Sequence, residues 1–258
     1  MDINSFKKQF GNEASNYTKY RRPYPDELQT LLFSLIPKDS KKILDIACGT
    51  GKSTELLLKS GLEVYGCDHD SLMVEEAEKQ ANNNNLNINY KVADVKNLPY
   101  EDSTFDVVTI GTAFHFFVDE KSISEIKRVL KKNGLIYIYW TLTTKEIPKE
   151  DEIPGSIFES YGWVRIPSEL RNLENISSFL LKSGFENVST SQIPFSYLTT
   201  VEERIGLQTT SGMYELLSKE NKNKFLSEVE TVLKEKLGNR DHFVLEEEIQ
   251  ICYGFMSD

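Results

Sequence analysis

The amino-acid sequence predicts an α/β fold with a doubly wound, mostly parallel sheet, and three observations support this prediction. Short, nearly continuous apolar runs alternate with amphipathic segments between residues 41 and 140, as in strands buried on both faces and connected by helices. A Gly-x-Gly turn follows the first run, and acidic residues stand near the ends of the first three runs. With 258 residues, the chain can hold one such domain and an appended piece.

The central part of the chain contains the regular alternation. Its predicted strands are residues 43–46, 63–67, 88–93, 105–110 and 135–140. Its predicted helices are residues 52–60, 71–81 and 120–132. Gly61 follows the first helix and Asn133-Gly134 follows the third, and both are typical of helix C-termini.

The flanking regions are predicted from periodicity and helix-breaking residues. Helices are predicted at 26–36, where four leucines share one face, and at 170–182, which Gly184 ends. Residues 141–162 are polar and broken by prolines, which predicts a loop or lid. Long strands are predicted at 188–197 and 243–255, the second as an antiparallel edge because it alternates in part. Helical segments at 201–217 and 221–237 form either a cap over a pocket or a packing pair without substrate contact.

These elements divide the chain into three predicted parts. Residues 1–40 form an N-terminal entry segment with a helix, and residues 41–140 form the cofactor-binding core. Residues 141–258 supply the rest of the sheet, with a lid loop at 141–165 and a helical cap at 200–238. We expect the lid and the cap to form a mobile cover that excludes water from the site.

Charge and composition narrow the possible partners. The formal net charge of −10 and the sequence pI of about 5.0 oppose nucleic-acid binding, which needs a basic footprint. A small basic group (Lys127, Arg128, Lys131 and Lys132) is interpreted as a solvated helix face. No apolar run is long enough for a membrane span, and the three cysteines show no metal-ligand spacing. We therefore expect a cytoplasmic protein with no metal, no membrane and no nucleic-acid partner, and the oligomeric state is left open. The resemblance described below adds a small-molecule substrate to this expectation.

The most informative segment is residues 43–51, which read ILDIACGTG. Its glycines permit positive φ angles and let the backbone approach a nucleotide-like cofactor closely. A dinucleotide is disfavoured because Thr54 occupies the position of the third glycine of the pyrophosphate fingerprint. Asp45, four residues before the first glycine, instead suits a ligand that carries an ammonium or sulfonium group.

Five motifs in order resemble the class I S-adenosylmethionine (SAM)-dependent methyltransferases. They are ILDIACGTG at 43–51, YGCD at 65–68, VADV with LPY at 92–100, FDVV at 105–108 and RVLKKNGL at 128–135. The resemblance implies a seven-stranded Rossmann-like sheet, a methyltransferase type 11 domain and SAM as cofactor. One departure is Ala47, where the family often has glycine. A looser resemblance of YTKYRRPYP at 17–25 and FHFF at 114–117 points to the trans-aconitate methyltransferase-like, small-molecule branch.

The strand ends supply candidate cofactor residues. Asp68 ends the second strand and is predicted to accept both ribose hydroxyls, with a helix-capping role as the alternative. The resemblance implies that Asp94 accepts the adenine amino group beside Val95, although a turn acid is also possible. Leu72 and Met73 either contact the adenine or ribose or pack in the core, and Tyr17 and Arg22 either close over the methionine end or lie at the surface. The full predicted set is Tyr17, Arg22, Asp45, Ala47, Gly49, Asp68, His69, Met73, Asp94, Val95 and Thr112.

The predicted reaction is methyl transfer by in-line displacement to a carboxylate or hydroxyl. A base is needed only for a protonated acceptor, and His115 is the catalytic candidate, with a pocket-wall ring as the alternative. The neighbouring phenylalanines should lower its pKa and keep the ring neutral. A carboxylate acceptor would instead be held by guanidinium groups, for which Arg21, Arg22, Arg165 and Arg171 are available. A non-catalytic SAM-binding protein and a nicotinamide-dependent oxidoreductase remain the alternative functions.

Overall fold

The structure is a computed structural model that describes residues 14–21, 24–146, 153–162 and 171–257. The chain separates into two compact units, each assembled from three segments. The sheet unit comprises Pro23–Thr141, Pro167–Ile193 and Ile249–Asp258. The helical unit comprises Met1–Arg22, Leu142–Ile166 and Pro194–Glu248.

Seven strands form one sheet in the order β3-β2-β1-β4-β5-β7-β6. They are β1 (Lys42–Ile46), β2 (Glu63–Asp68), β3 (Ile88–Val92), β4 (Phe105–Gly111), β5 (Leu130–Glu146), β6 (Phe185–Thr200) and β7 (His242–Met256). The first five are parallel to their neighbours, and the last strands are antiparallel. The predicted fold class is therefore confirmed.

Two helices precede β1, and the other helices lie between strands in the chain. The helices are α1 (Ala14–Tyr20), α2 (Asp26–Leu35), α3 (Lys52–Leu57), α4 (Ser71–Asn83), α5 (Glu120–Val129), α6 (Gly155–Ser160), α7 (Leu173–Lys182), α8 (Val201–Gln208), α9 (Gly212–Glu215) and α10 (Lys219–Leu237). Short 3-10 turns follow α3 at Leu58–Ser60 and β4 at Phe114–Phe116.

The sheet unit is organised around strands that are almost completely buried. Val107, Val108 and Ile110 of β4 have no exposed surface, as predicted from their continuous apolar run. Polar side chains begin the helices: Asp70 accepts the Leu72 N–H at the start of α4, and Asp119 accepts the Ser122 N–H at the start of α5. These caps fix where each helix begins relative to the strand before it, and hence which residues stand at the strand ends.

The helical unit has its own core, which is formed by residues distant in sequence. Phe225 of α10 is 3% exposed and lies at the centre of an aromatic group with Phe158, Tyr161 and Tyr214. In α8, the ring of Tyr20 lies where a Cβ on Gly206 would stand, so only glycine admits this packing. The start of α8 is held by a capping box between Thr200 and Glu203.

Two predicted boundaries near β5 are wrong. Helix α5 ends at Val129, not at residue 132, because Leu130 already has extended backbone angles. Asn133 has a φ of 58° within an irregular start of β5, so the Asn133-Gly134 pair bends a strand and does not end a helix. The strand then continues to Glu146, and α6 follows at Gly155–Ser160, so much of the predicted loop at 141–162 is regular structure.

Two further predictions need correction, and one helix was not predicted. β7 was predicted as an edge strand, but it lies between β5 and β6. Its alternating pattern shows that one face of the strand is partly exposed, and this pattern does not tell whether a strand has one neighbour or two. The predicted helix at 201–217 is divided into α8 and α9, and α1 was not predicted. Arg22, Arg165 and parts of the predicted lid lie outside the described residues.

Candidate functional site

The loop after β1 turns through three left-handed residues. Ala47, Gly49 and Gly51 have φ angles of 57°, 55° and 85°. Such angles suit glycine, whereas an alanine in this region costs about 1–2 kcal/mol. The strain at Ala47 explains why glycine is common there in the family that the sequence resembles. Backbone hydrogen bonds from the Cys48 N–H to Cys67 O (3.0 Å) and from the Gly51 N–H to Cys48 O (3.0 Å) hold the loop in this path.

Asp45 lies beneath this loop and binds it to the sheet. Its Oδ2 accepts the hydroxyls of Ser53 (2.8 Å) and Thr54 (2.7 Å), and its Oδ1 accepts the hydroxyl of Thr109 (2.9 Å). The residue is 1% exposed, and this burial raises the pKa of its carboxyl, while the three hydroxyls act in the opposite direction. Thr54 stands where the dinucleotide fingerprint has its third glycine. Its hydroxyl links the helix after the loop to Asp45 of β1.

Asp68 connects the end of β2 to the same loop. Its Oδ2 accepts the Gly49 N–H at 3.0 Å, and its Oδ1 accepts the Asp70 N–H at 3.0 Å. Asp70, and not Asp68, is the N-cap of α4. Because a carboxylate has about four acceptor positions, these two N–H groups leave positions on Asp68 for a neighbouring side chain and for a ribose hydroxyl.

His69 adds a titratable group to this corner of the site. Its Nδ1 lies 3.1 Å from Asp68 Oδ1. The hydrogen bond to Asp68 raises the pKa of His69, and the charges of Asp70 and Asp94 raise it further, against the effect of burial. His69 therefore holds the carboxylate of Asp68 in position more firmly when it is protonated.

The residues after β3 and at the start of α4 differ in exposure. Asp94 is exposed, and its Oδ1 accepts the Lys96 N–H at 2.8 Å. This contact is the one expected if Asp94 stabilises a turn. Val95 is buried. Met73 is only 2% exposed and packs in the core, whereas Leu72 is 44% exposed and offers an apolar surface to a ligand. Of these two side chains, Leu72 is the accessible one.

The end of β4 leads directly to His115. Thr112 has a φ of 58°, and its N–H donates to Tyr139 O at 2.7 Å. The imidazole of His115 lies 4.0 Å from the Phe116 ring centroid, and its Nε2 has no hydrogen-bond partner. Burial, together with the charge of Arg171, lowers the pKa of His115 to about 3. The ring is thus neutral at pH 7, in the direction predicted from the apolar sequence around it.

Of the two N-terminal candidates, the structure describes Tyr17. Tyr17 is in α1 of the helical unit, with the Arg21 guanidinium 4.9 Å from its ring centroid. The other predicted cofactor residues that the structure describes belong to the sheet unit. Within that unit, contacts with Asp68 bring together Gly49 and His69, and Asp45 and Ala47 belong to the end of β1 and the loop that leads to Gly49.

Sequence reasoning missed several residues that shape this site. Ser53 and Thr109 bind Asp45, and Thr109 is brought to it by the register of β1 against β4. Tyr90 of β3 lies against both Gly51 and Gly66, where a Cβ would collide with its ring. The hydroxyl side chains at 53 and 54 were the one visible signal for a bond to Asp45. Across the described ranges there is no group of three potential metal ligands and no helix that could span a membrane.

Comparison with known proteins gives the family. The methyltransferase-domain family matches residues 44–138. An uncharacterized methyltransferase of Schizosaccharomyces pombe is 24% identical over 87% of this chain and 87% of its own length. A demethylmenaquinone methyltransferase of Corynebacterium kroppenstedtii is 31% identical over 60% of this chain and 72% of its own length.

Solved structures show the same fold. A putative type II methyltransferase from Anaeromyxobacter dehalogenans has a TM-score of 0.65 at 17% identity and covers 92% of this chain and 98% of its own. The Haemonchus contortus phosphoethanolamine N-methyltransferase 2 in complex with SAM has a TM-score of 0.59 at 19% identity and covers 96% of this chain. This chain spans 57% of that larger protein.

The chain belongs to the class I SAM-dependent methyltransferases. It is an enzyme of that class, and SAM is its cofactor. The residues around the loop fit such a ligand, because the left-handed glycine turn lets the backbone approach a nucleoside closely and the Asp68 carboxylate beside it can accept a hydroxyl.

Proposed function

We propose that this enzyme transfers the methyl group of SAM to a carboxylate or hydroxyl oxygen of a small molecule. The observation that carries the proposal is the carboxylate of Asp68, held by the N–H groups of Gly49 and Asp70 at the end of β2. A carboxylate fixed in this way beside a glycine loop suits the ribose of a nucleoside cofactor.

The cofactor contacts follow from the strand ends. In this proposal Asp68 accepts the ribose hydroxyls, while Asp94 and the backbone of Val95 bind the adenine. Leu72, with its exposed side chain, lies on the adenine more readily than the buried Met73. Asp45, Ala47 and Gly49 shape the loop around the methionine end, and Thr112 stands where the donor meets its acceptor. His69 keeps Asp68 in place through the contact between its Nδ1 and Asp68 Oδ1.

The chemistry requires little beyond alignment. Displacement at a sulfonium methyl releases a neutral thioether, so no acid is needed for the leaving group. Alignment in a dry site can contribute about 7–11 kcal/mol to lowering the barrier.

Small molecules are the proposed acceptors. The names of the relatives refer to demethylmenaquinone and phosphoethanolamine, which are small molecules acted on by those proteins. The net charge of −10 disfavours a nucleic acid as substrate. We also propose that the enzyme belongs to the trans-aconitate methyltransferase-like branch. Its proposed location is the cytoplasm, without a membrane partner.

Calorimetry with S-adenosylhomocysteine tests the ribose assignment. Asp68→Ala should weaken binding by about 1–3 kcal/mol, since it leaves the ribose hydroxyls without their acceptor. Asp70→Ala is the matched control, because it removes the cap of α4 but no proposed ligand contact. An analogue without the ribose hydroxyls should be nearly insensitive to Asp68→Ala. Equal affinities of wild type and Asp68→Ala for the intact ligand would show that the ribose lies elsewhere.

A further inference from the structure

The strand register places Tyr139 one step beyond Asp45 on the same face of the sheet. Asp45 of β1 lies opposite Thr109 of β4, and Thr109 lies opposite Tyr137 of β5. Gly111 and Tyr139 form the next pair toward the carboxyl ends of these strands. Because paired residues and residues two positions apart share a face, Tyr139 stands on the side of Asp45, closer to the edge where α/β proteins bind ligands.

The phenol of Tyr139 reaches over the end of β4. Its hydroxyl oxygen lies 2.7 Å from the place where a Cβ on Gly111 would stand, so a residue larger than glycine would displace it. The ring packs edge-on against Tyr24, with 5.1 Å between the ring centroids. The main-chain oxygen of Tyr139 accepts the Thr112 N–H at 2.7 Å. The hydroxyl is thus held next to the turn at Thr112, where the methyl donor is proposed to meet its acceptor.

The hydroxyl of Ser53 connects this phenol to Asp45. Burial, above all, raises the pKa of Tyr139, so the phenol keeps its proton at neutral pH. The Ser53 hydroxyl is a hydrogen-bonding neighbour of the phenol and acts on this pKa in the opposite direction. Ser53 also donates to Asp45 Oδ2 at 2.8 Å. The three groups form a chain from the buried carboxylate toward the edge of the sheet.

The direction of the hydrogen bonds in this chain follows from the number of protons. The hydroxyls of Ser53, Thr54 and Thr109 surround Asp45, whose ionised carboxylate can only accept. Because a hydroxyl has one proton, Ser53 donates that proton to Asp45 and can only accept from Tyr139. The Tyr139 proton therefore lies toward Ser53, and the phenol oxygen presents its lone pairs on its other side.

We propose that the Tyr139 hydroxyl is a cofactor-binding group whose oxygen accepts the positively charged methionine end of SAM; this assignment rests on the cofactor placement proposed above. An oxygen that can only accept needs a donor or a cation as its partner. SAM has two positive groups at its methionine end, the ammonium and the methyl-bearing sulfonium. Asp45 is 1% exposed and need not contact the ligand, because the aligned hydroxyls of Ser53 and Tyr139 extend its negative potential toward the edge of the sheet.

The ring and the hydroxyl of Tyr139 have separate roles, which makes the assignment testable. The ring packs against Tyr24, and a phenylalanine keeps that contact. The hydroxyl supplies the acceptor oxygen, and a phenylalanine removes it. Tyr137, two positions earlier on β5, differs because its hydroxyl donates to Leu28 O at 3.1 Å. Tyr137→Phe is therefore the matched control, since it removes a buried hydroxyl of the same strand that does not belong to the chain.

Calorimetry with three ligands tests the assignment. SAM carries both positive groups, S-adenosylhomocysteine carries the ammonium, and 5′-methylthioadenosine carries neither. Tyr139→Phe should raise the Kd of SAM about 10-fold to 100-fold, as for a lost hydrogen bond to a charged group, and leave that of 5′-methylthioadenosine unchanged. A parallel loss for S-adenosylhomocysteine assigns the ammonium as the partner, and a loss confined to SAM assigns the sulfonium. Equal changes for all three ligands, or no change, overturn the role of Tyr139.

Two further variants separate this role from its neighbours. Tyr137→Phe should lower stability but leave the relative affinities of the three ligands as in wild type. Asp68→Ala should weaken all three alike, because they share the ribose. Unchanged binding in Asp68→Ala would contradict the cofactor placement, whereas a shift of the relative affinities in Tyr137→Phe would contradict the assignment to Tyr139.

A double-mutant cycle tests the chain from Asp45. Ser53→Ala removes the acceptor of the Tyr139 proton, so the phenol no longer has to present its lone pairs to the ligand. In that background Tyr139→Phe should lose most of its effect on the Kd of SAM. An undiminished effect of Tyr139→Phe in the Ser53→Ala protein would overturn the directed chain.

Discussion

The sheet unit and the helical unit bury their cores in different ways. In the sheet unit the core consists of short apolar strands, and the site residues stand within a few positions of the strand ends. In the helical unit the core joins Ile153, Tyr214, Phe225 and Leu245, which come from separate parts of the chain. The methyltransferase-domain match at 44–138 falls entirely within the sheet unit. The family motifs thus lie close together in the sequence of one unit, whereas the core of the other unit depends on contacts between distant residues.

The two units also differ in the interactions that hold them together. Around the glycine loop, Asp45 and Asp68 accept hydrogen bonds from hydroxyl and N–H groups that fix the backbone. In the helical unit, aromatic packing around Phe225 is the central feature. Substitutions in the two units should therefore separate stability from cofactor affinity, and the following experiments measure that separation from the largest effect to the smallest.

The largest expected effect is on the core of the helical unit. Phe225→Ala removes a ring that is 3% exposed and should lower the free energy of unfolding by about 3–5 kcal/mol. SAM affinity should change little, because Phe225 belongs to the helical unit. Denaturant unfolding and calorimetry measure the two quantities. Lys224→Ala, at a largely exposed neighbour, is the control. A parallel loss of SAM affinity would show that the two units do not behave separately.

Asp45→Ala should lower both the free energy of unfolding and the affinity for SAM. It leaves the hydroxyls of Ser53, Thr54 and Thr109 without their acceptor, and Thr54 and Thr109 are completely buried. We expect a loss of about 2–4 kcal/mol in unfolding free energy and a large loss of SAM affinity, because the loop is no longer held. Asp102→Ala, which removes an exposed ion pair with Arg128, should cost less than about 1 kcal/mol. Retained SAM affinity in Asp45→Ala would mean that the loop is stable without this carboxylate.

Ala47→Gly should stabilise the protein slightly. It removes the left-handed strain of alanine, worth about 1–2 kcal/mol, against a greater loss of chain entropy of roughly 0.5–1 kcal/mol. A net gain of about 0.5 kcal/mol should appear in urea unfolding. The same substitution in α4, Ala81→Gly, should instead destabilise, since that residue is helical and buried. Destabilisation by Ala47→Gly would contradict the strain.

The smallest effect concerns pH. The pKa of His69 is raised in the folded protein, chiefly by its hydrogen bond to Asp68, so its stabilising contribution is complete below the ordinary pKa of 6.5 and is lost as pH rises through the folded value. Because the side chain is 40% exposed, the contribution should be less than about 1 kcal/mol. The difference in unfolding free energy between wild type and His69→Gln should thus shrink from pH 5.5 to 8.5. A constant difference would exclude this contribution.

Features that depend on residues close in sequence could be predicted, whereas features that depend on contacts between distant residues could not. The strand, the glycine loop and the acid at the end of β2 lie within 26 residues of one another (43–68), and their arrangement could be predicted from spacing. The bond from Thr109 to Asp45 could not, because it depends on β4 pairing with β1. The position of β7 inside the sheet depends on packing choices that no local pattern records.

The order of the last strands has a consequence for biosynthesis. β6 ends one side of the sheet, and its sheet neighbour is β7, which begins at His242. While the ribosome synthesises the intervening residues 201–241, the 16-residue β6 has no strand to pair with. An unpaired strand of that length invites pairing with other nascent chains. Folding of this enzyme in the cell should therefore depend on chaperones that shield β6 until β7 has emerged.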